Sequence, residues 1–296
     1  MTGLSRVLCW MILSAVVRPC LAQGDDSAAM LAAMDAGRWV VGVAGWVDGD
    51  GNDSLVTNVN WAATSATWLS FGIGRSRSPA DRADVSVSRL TAGVDHRFGA
   101  FGVRLDVGRW GDAAALESND ARASFYIQRE RFRLGFAYKH RDIDVPFSIT
   151  GPMGNTLRRS VDFGGDSFDV TLRVEVARDW SVFAAAAQYD YGRDLTLLPR
   201  VDRLNLLSAS TLTLADSFID TERAIGLERE LGDKLINASF TVDRSAVDGS
   251  RYETFNAGLL FPVGNRLDLE VDIGRGRSDL VDSGTYVGVM LWIYGG

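Results

Sequence analysis

The sequence predicts an all-β fold, specifically a transmembrane antiparallel up-and-down β-barrel of about 14 strands with short periplasmic turns and long extracellular loops. Three observations lead to this prediction. Apolar and polar residues alternate without a break in segments such as Phe168–Val176 and Leu267–Ile273. Connections between these segments are alternately short and long, and aromatic residues gather near the segment ends. An alternation of period two gives a strand one apolar and one polar face, as a barrel in lipid requires.

The predicted strands follow one another with no linker between domains. In chain order they are Arg38–Val47, Ser54–Ala62, Thr67–Arg75, Val85–Phe98, Gly102–Trp110, Ala121–Arg129, Phe132–Ile143, Ser167–Ala177, Trp180–Tyr191, Ser217–Arg229, Lys234–Asp243, Arg251–Phe261, Arg266–Arg275 and Thr285–Tyr294. Most approach the length of about 9–11 residues that a tilted strand needs to cross a membrane. An even number of strands places both termini on the periplasmic side.

The connections and the aromatic residues predict two different barrel ends. The longest loops are predicted at Asp144–Asp166 and Gly192–Asp216, both on the extracellular side. One predicted aromatic belt lies near the short turns and contains Trp39, Trp61, Trp68, Phe98, Phe101, Phe132, Trp180, Phe261 and Trp292. The other lies near the long loops and contains Trp46, Trp110, Tyr189, Tyr191, Tyr252 and Tyr286. Such belts are typical of membrane interfaces, although a soluble periplasmic β-sandwich or propeller remains the alternative.

The N-terminus predicts export from the cytoplasm. Val7–Val17 is an apolar run broken only by Ser14, and Cys20-Leu21-Ala22 resembles a signal-peptidase site. We therefore predict a cleaved signal peptide at 1–22, a short periplasmic segment at 23–37 and the barrel at 38–296. The mature chain would have 274 residues, no cysteine and a net charge of −9. These properties exclude a disulfide scaffold and disfavour nucleic acid as a partner.

The last predicted strand carries a recognisable pattern. In Tyr286–Tyr294 a polar position is followed by Gly288 and then by apolar and aromatic residues. This strand resembles the C-terminal strand of porin-like, Gram-negative bacterial outer-membrane β-barrels, although here Gly295-Gly296 follows the aromatic residue. The resemblance implies location in the cell outer membrane, contact with its lipid and lipopolysaccharide, and recognition of the last strand by the outer-membrane assembly machinery. It identifies no subfamily and therefore no functional residue.

Few residues could support catalysis or bind a metal. The mature chain contains two histidines, His96 and His140, and no Gly-x-Ser-x-Gly elbow. The segment Asp48–Ser54 matches the first ligand positions of a calcium loop and then departs from it. We therefore expect no enzyme activity, no cofactor and no metal. An outer-membrane lipid or peptide hydrolase that uses His140 as its base is the less favoured alternative.

Charged residues on the polar strand faces point to the candidate function. A charge facing lipid at mid-depth costs about 2–4 kcal/mol, so alternating charges should face the lumen. The predicted pore-lining residues are Arg104, Arg122, Arg133, Arg141, Arg173, Glu222, Glu228, Asp243, Asp268, Glu270 and Asp272. We predict a passive transport channel for small polar or charged solutes. The alternative is a closed structural or surface-interaction barrel that acts through its long loops. The sequence predicts neither the solute nor the oligomeric state.

Overall fold

The computed structural model describes residues 37–49, 51–78, 85–112, 116–150, 156–192, 218–279 and 283–296. The predicted signal peptide at 1–22, nearly all of the segment at 23–37 and nearly all of the loop at 192–216 lie outside the described residues. The apolar stretches Leu195–Leu198 and Leu204–Leu207 of that loop lie outside them as well. Within the described residues no helix is long and apolar enough to cross a membrane.

The described residues form a closed barrel of 14 antiparallel strands, which confirms the predicted fold class and strand count. The strands are β1 Trp39–Asp48, β2 Asp53–Ala62, β3 Thr67–Ser78, β4 Val85–Phe98, β5 Phe101–Asp112, β6 Leu116–Gln128, β7 Phe132–Thr150, β8 Thr156–Ala177, β9 Trp180–Tyr191, β10 Ile219–Leu231, β11 Lys234–Ser245, β12 Arg251–Pro262, β13 Leu267–Ser278 and β14 Gly284–Gly295. Each strand pairs with its neighbours in the chain, and β1 pairs with β14 to close the barrel.

The alternation of residue types divides each strand between two faces. In β8 the side chains of Ser167 and Asp169 are buried, whereas Phe168, Val170 and Leu172 between and after them are exposed. The same pattern holds in β5, where Val103, Leu105 and Val107 are exposed. Large apolar side chains are stable on an outer surface only if lipid covers them. The exposed apolar face is therefore the one suited to contact a membrane.

The prediction of a long loop at Asp144–Asp166 is wrong. β7 continues to Thr150 and β8 starts at Thr156, so that most of the segment is a strand hairpin. The pairs Ile143–Phe163 and Val145–Val161 hold its two arms in register. The polar character of the segment suggested a loop, but pairing between the two arms overrides this weak local preference. β8 has 22 residues, more than a membrane span needs, so this hairpin extends past the barrel rim.

Only part of the predicted aromatic arrangement is found. Trp39, Trp61, Phe98, Phe101 and Phe132 are exposed on the outer face near the short turns, as a belt requires. In contrast, several predicted belt residues are buried on the inner face: Trp46, Trp68, Trp110, Tyr189, Tyr252, Tyr286 and Trp292. The prediction used the position of each residue along its strand, which determines depth but not face. The belt predicted near the long loops is therefore mainly a set of interior side chains.

The two faces of β8 give a direct test of this arrangement. Leu172 is 41% exposed on the outer face near the middle of the span. Replacing it with arginine should lower the free energy of unfolding by about 2–4 kcal/mol, the cost of a charge facing lipid. Thr171 faces inward between Gly135 and Ala185, whose small side chains leave room. Thr171→Arg should be tolerated. Urea unfolding in lipid vesicles measures both changes, and equal losses would contradict the assignment of faces.

Candidate functional site

The barrel interior is the candidate functional site. The structure places all eleven predicted pore-lining residues on the face opposite the exposed apolar side chains. Arg104 and Arg122 have side chains that are 12% exposed, and Arg173 reaches 21%. The other predicted arginines and all six predicted acids are buried. The arginines lie on β5 to β8 and the acids on β10 to β13, and we call these two sets the basic arc and the acidic arc.

The basic arc contains carboxylates of its own. Arg104 donates to both oxygens of Asp106 at 2.9 Å, and Arg122 pairs with Asp169 at 3.2 Å. Asp120 pairs with Lys139 at 2.7 Å. It also lies 3.4 Å from Arg141. Asp120 escaped the sequence prediction because the predicted strand began one residue later, although Asp120 shares the parity of Arg122.

Two acids of β13 contact uncharged donors. Asp268 accepts a hydrogen bond from the Tyr294 hydroxyl at 2.9 Å, and Glu270 lies 3.5 Å from Trp292 Nε1. Within the described part of the chain, neither Glu270 nor Asp272 pairs with an arginine or lysine. An ion pair between Arg173 and Glu228 connects the basic arc to the acidic arc. Glu270 and Asp272 are therefore acids of the acidic arc with no cationic partner among the described residues.

Uncharged polar side chains and a glycine lie beside the acids of the acidic arc. Asp272 lies over Gly258, where a Cβ atom would come within 2.2 Å of the carboxylate and 2.7 Å of Asn237 Nδ2. Tyr286 donates to Asn256 Oδ1 at 3.3 Å. Neither asparagine was among the predicted pore-lining residues, because that prediction rested on charged side chains alone. Both asparagines occupy inward-facing positions in the alternation of β11 and β12, and this position could have identified them.

An apolar cluster lies inside the end of the barrel that carries the longer loops. We call it the mouth cluster, and it consists of Val87, Trp110, Leu116, Ile143, Val145, Phe163, Phe218 and Val247. Its members come from β4 to β8, from the residue just before β10 and from the loop after β11, so it extends around much of the circumference. The rings of Phe163 and Phe218 stack with centroids 5.9 Å apart. The cluster can therefore narrow this entrance.

Arg141 connects the mouth cluster to the charged interior. Its guanidinium carbon lies 5.5 Å from the ring centroids of both Trp110 and Tyr189. Both contacts are within the range of cation–π attraction. The side chain of Arg141 therefore lies at the boundary between the apolar entrance and the polar wall below it.

The histidines and the calcium-like loop do not contribute to the interior. His96 accepts from or donates to the Thr67 hydroxyl at 2.8 Å, and His140 contacts Asp166 at 2.8 Å. Both histidines have the parity of the outer face. Asp48 already accepts two hydrogen bonds from Asn52, at 2.9 and 2.6 Å. Across the described ranges, no group of three or more histidine, aspartate or glutamate residues could hold a metal ion.

Comparison with known proteins finds likeness of fold without likeness of sequence. No family model matches the chain, and no curated protein matches it. A FadL homologue of Pseudomonas aeruginosa has a TM-score of 0.59 at 10% identity, with coverage of 89% of this chain and 91% of that chain. The chain has the fold of a Gram-negative outer-membrane β-barrel. This fold points to an outer-membrane location.

Two further solved structures match this chain over nearly their whole length, but with lower TM-scores. OmpT, an outer membrane protein of Vibrio cholerae, has a TM-score of 0.49 at 11% identity, with coverage of 88% of this chain and 99% of that chain. The NanC porin has a TM-score of 0.44 at 8% identity, with coverage of 86% of this chain and 98% of that chain. At these identities the likeness concerns the fold alone.

The ion pair between Arg173 and Glu228 can be tested by a double-mutant cycle. We expect Glu228→Gln to destabilise the barrel, because it removes a buried partner of Arg173. Combining Arg173→Gln with Glu228→Gln should recover part of the loss, with a coupling energy of about 1–3 kcal/mol. Glu175→Gln is the control, since Glu175 is an exposed acid on β8, the strand that carries Arg173. Equilibrium unfolding gives all four values, and strictly additive effects would mean that the pair contributes nothing.

Proposed function

We propose that this protein is a passive outer-membrane channel for small polar or charged solutes. The observation that carries the proposal is the separation of charge on the inner face, with a basic arc on β5 to β8 and an acidic arc on β10 to β13. An interior that served only to fill the barrel would do better with apolar side chains, because burying charges costs free energy. Charges maintained along an interior wall are useful for the passage of polar solutes.

The two arcs should produce a field with an excess of negative charge. The carboxylates Asp106, Asp120 and Asp169 neutralise part of the basic arc, while Glu270 and Asp272 contact no arginine or lysine of the described residues. Low-dielectric walls focus such a field on the space between them. We therefore propose a mild preference for cations, which weakens at high salt because screening shortens the range of the field.

The mouth cluster favours a second candidate function. A ring of apolar side chains can close a pore by expelling water from it. Asp243, Glu270 and Asp272 are almost completely buried, which indicates that other protein atoms closely cover the acids of the acidic arc. The second candidate is accordingly a closed barrel that acts through its extracellular surface. Conductance distinguishes it from the channel, and neither candidate assigns a catalytic residue.

The first test of the channel removes two charges from the acidic arc. Asp268→Asn combined with Glu270→Gln should shift the reversal potential under a salt gradient toward anion preference, because the wall loses two carboxylates. The control is Asp142→Asn combined with Asp190→Asn, which removes two carboxylates from the outer face and should leave selectivity unchanged. Single-channel recordings in planar bilayers measure both variants.

Two results of that experiment would count against the proposal. Folded wild-type protein that never conducts would favour the closed barrel. If the protein conducts but the Asp268→Asn and Glu270→Gln double variant has the same ion selectivity as the wild type, these acids do not line the path.

The second test opens the mouth cluster. Phe163→Ala combined with Phe218→Ala should increase single-channel conductance several-fold, because the two stacked rings narrow the entrance. Phe168→Ala is the matched control, since Phe168 lies on the outer face of the same strand. A gel-shift assay on unheated samples confirms that each variant remains a folded barrel. An unchanged conductance in the double variant would place the constriction elsewhere.

A further inference from the structure

The outer face of the barrel carries an unusual group of arginines near the end with the longer loops. We call Arg244, Arg251, Arg275 and Arg277 the arginine patch, and all four are exposed. They come from the extracellular halves of β11, β12 and β13. Their parity is that of the lipid-facing residues Phe240, Phe255 and Ile273 on the same strands.

The charges within the arginine patch are not balanced. Glu253 is its central acid, with Arg251 at 2.7 Å and Arg277 Nε at 2.6 Å. Arg275 donates to the Ser283 hydroxyl at 2.7 Å, a neutral partner. The neighbouring carboxylate of Asp279 accepts from the backbone N–H of Arg251 at 3.1 Å. Among the described residues, these four guanidinium groups thus lie near two carboxylates, and Glu253 is the one that pairs with guanidinium groups.

The register of β11 and β12 makes this imbalance costly. Arg244 lies directly opposite Arg251 on the same face of the sheet. Like charges in this position repel each other and destabilise a strand pair. An anion between the two guanidinium groups would turn the repulsion into two charge-assisted contacts. The pair is therefore an independent sign that a negatively charged ligand belongs here.

Two other outer arginines at the same barrel end pair with carboxylates. Arg109 donates to both oxygens of Glu117 at 2.6 Å, and Arg77 lies 3.9 Å from Asp53. The outer face of β7 to β9 has the opposite character, since Asp144 lies opposite Asp162 and Asp166 lies opposite Asp190. An anionic ligand would thus be attracted to β11–β13 and repelled from β7–β9.

We propose that the arginine patch binds the phosphate groups of lipopolysaccharide in the outer leaflet. The phosphates would lie among Arg244, Arg251, Arg275 and Arg277, and the acyl chains would cover Phe240, Phe255 and Ile273 below them. A lipid with an anionic head group fits this surface, because its head can contact the arginines while its chains cover the apolar residues. Anionic lipids bind basic residues in the same way at other membrane interfaces. The inference depends on an outer-membrane location with the longer loops outside. It does not depend on whether the interior conducts.

The test uses the full barrel in phosphatidylcholine nanodiscs with and without bisphosphorylated lipid A. We expect Arg244→Gln combined with Arg251→Gln to weaken lipid A binding roughly 25-fold, at about 1 kcal/mol for each arginine. The control is Arg178→Gln combined with Arg229→Gln, which removes the same charge from exposed positions near the short turns. The control should bind as the wild type does. Native mass spectrometry of a lipid A titration gives the affinities.

Thermal unfolding distinguishes a ligand site from a purely structural role. In nanodiscs without lipid A, Arg244→Gln combined with Arg251→Gln should unfold at the same temperature as the wild type or higher, because the repulsion is gone. With lipid A present, the wild type should unfold at a higher temperature than the double variant, because only the wild type binds the lipid tightly. Neither dephosphorylated lipid A nor inorganic phosphate should stabilise the wild type to the same degree.

Four outcomes would overturn the inference. They are equal lipid A affinity in the patch variant and the wild type, equal binding of dephosphorylated lipid A, full stabilisation by inorganic phosphate alone, and a patch variant that changes only self-association. The last result would mean that the acidic outer face of a second copy occupies the patch instead.

Discussion

The requirement that every backbone N–H and C=O in the hydrocarbon layer be paired within the protein determines the rest of this structure. A sheet can meet that requirement only by closing, because an open edge would expose unpaired groups to lipid. Here β1 closes on β14 from Trp39 opposite Gly295 to Asp48 opposite Tyr286. Once the ring is closed, each side chain faces either lipid or the interior.

Tryptophan and glycine pairs hold the closing strands in one register. Trp46 lies directly opposite Gly288 and Trp292 directly opposite Gly42 on the inner face, while Trp39 lies opposite Gly295 on the outer face. At each of these glycines an added Cβ atom would lie within 3 Å of the ring. A shift of β1 against β14 would push the rings against larger side chains, so these pairs penalise alternative registers. The alignment of the first and last strands thus depends on residues separated by most of the chain.

The sequence predicts the strands well, because alternation is a local property that survives in β5, β8 and β13. Two features were not predictable from it in the same way. The β7–β8 hairpin extends because Ile143 meets Phe163 and Val145 meets Val161, and such pairing is a property of two segments together. The inward direction of Trp46 could not be predicted either, because β1 is apolar on both sides and offers no alternation. In contrast, Trp110 shares its parity with Arg104 and Asp106, so its inward direction could have been predicted.

The charges of the interior could be predicted by parity, but their balance could not. Parity places Arg122 and Glu270 on the same face, yet only the folded sheet shows that Arg122 meets Asp169 while Glu270 meets the indole of Trp292. An ion pair leaves little net charge on the interior face, whereas an acid that contacts only neutral donors adds a negative charge whenever it is ionised. The two arcs are therefore not equal opposites. The basic arc is partly neutralised by its own carboxylates, whereas Glu270 and Asp272 of the acidic arc have no cationic partner among the described residues.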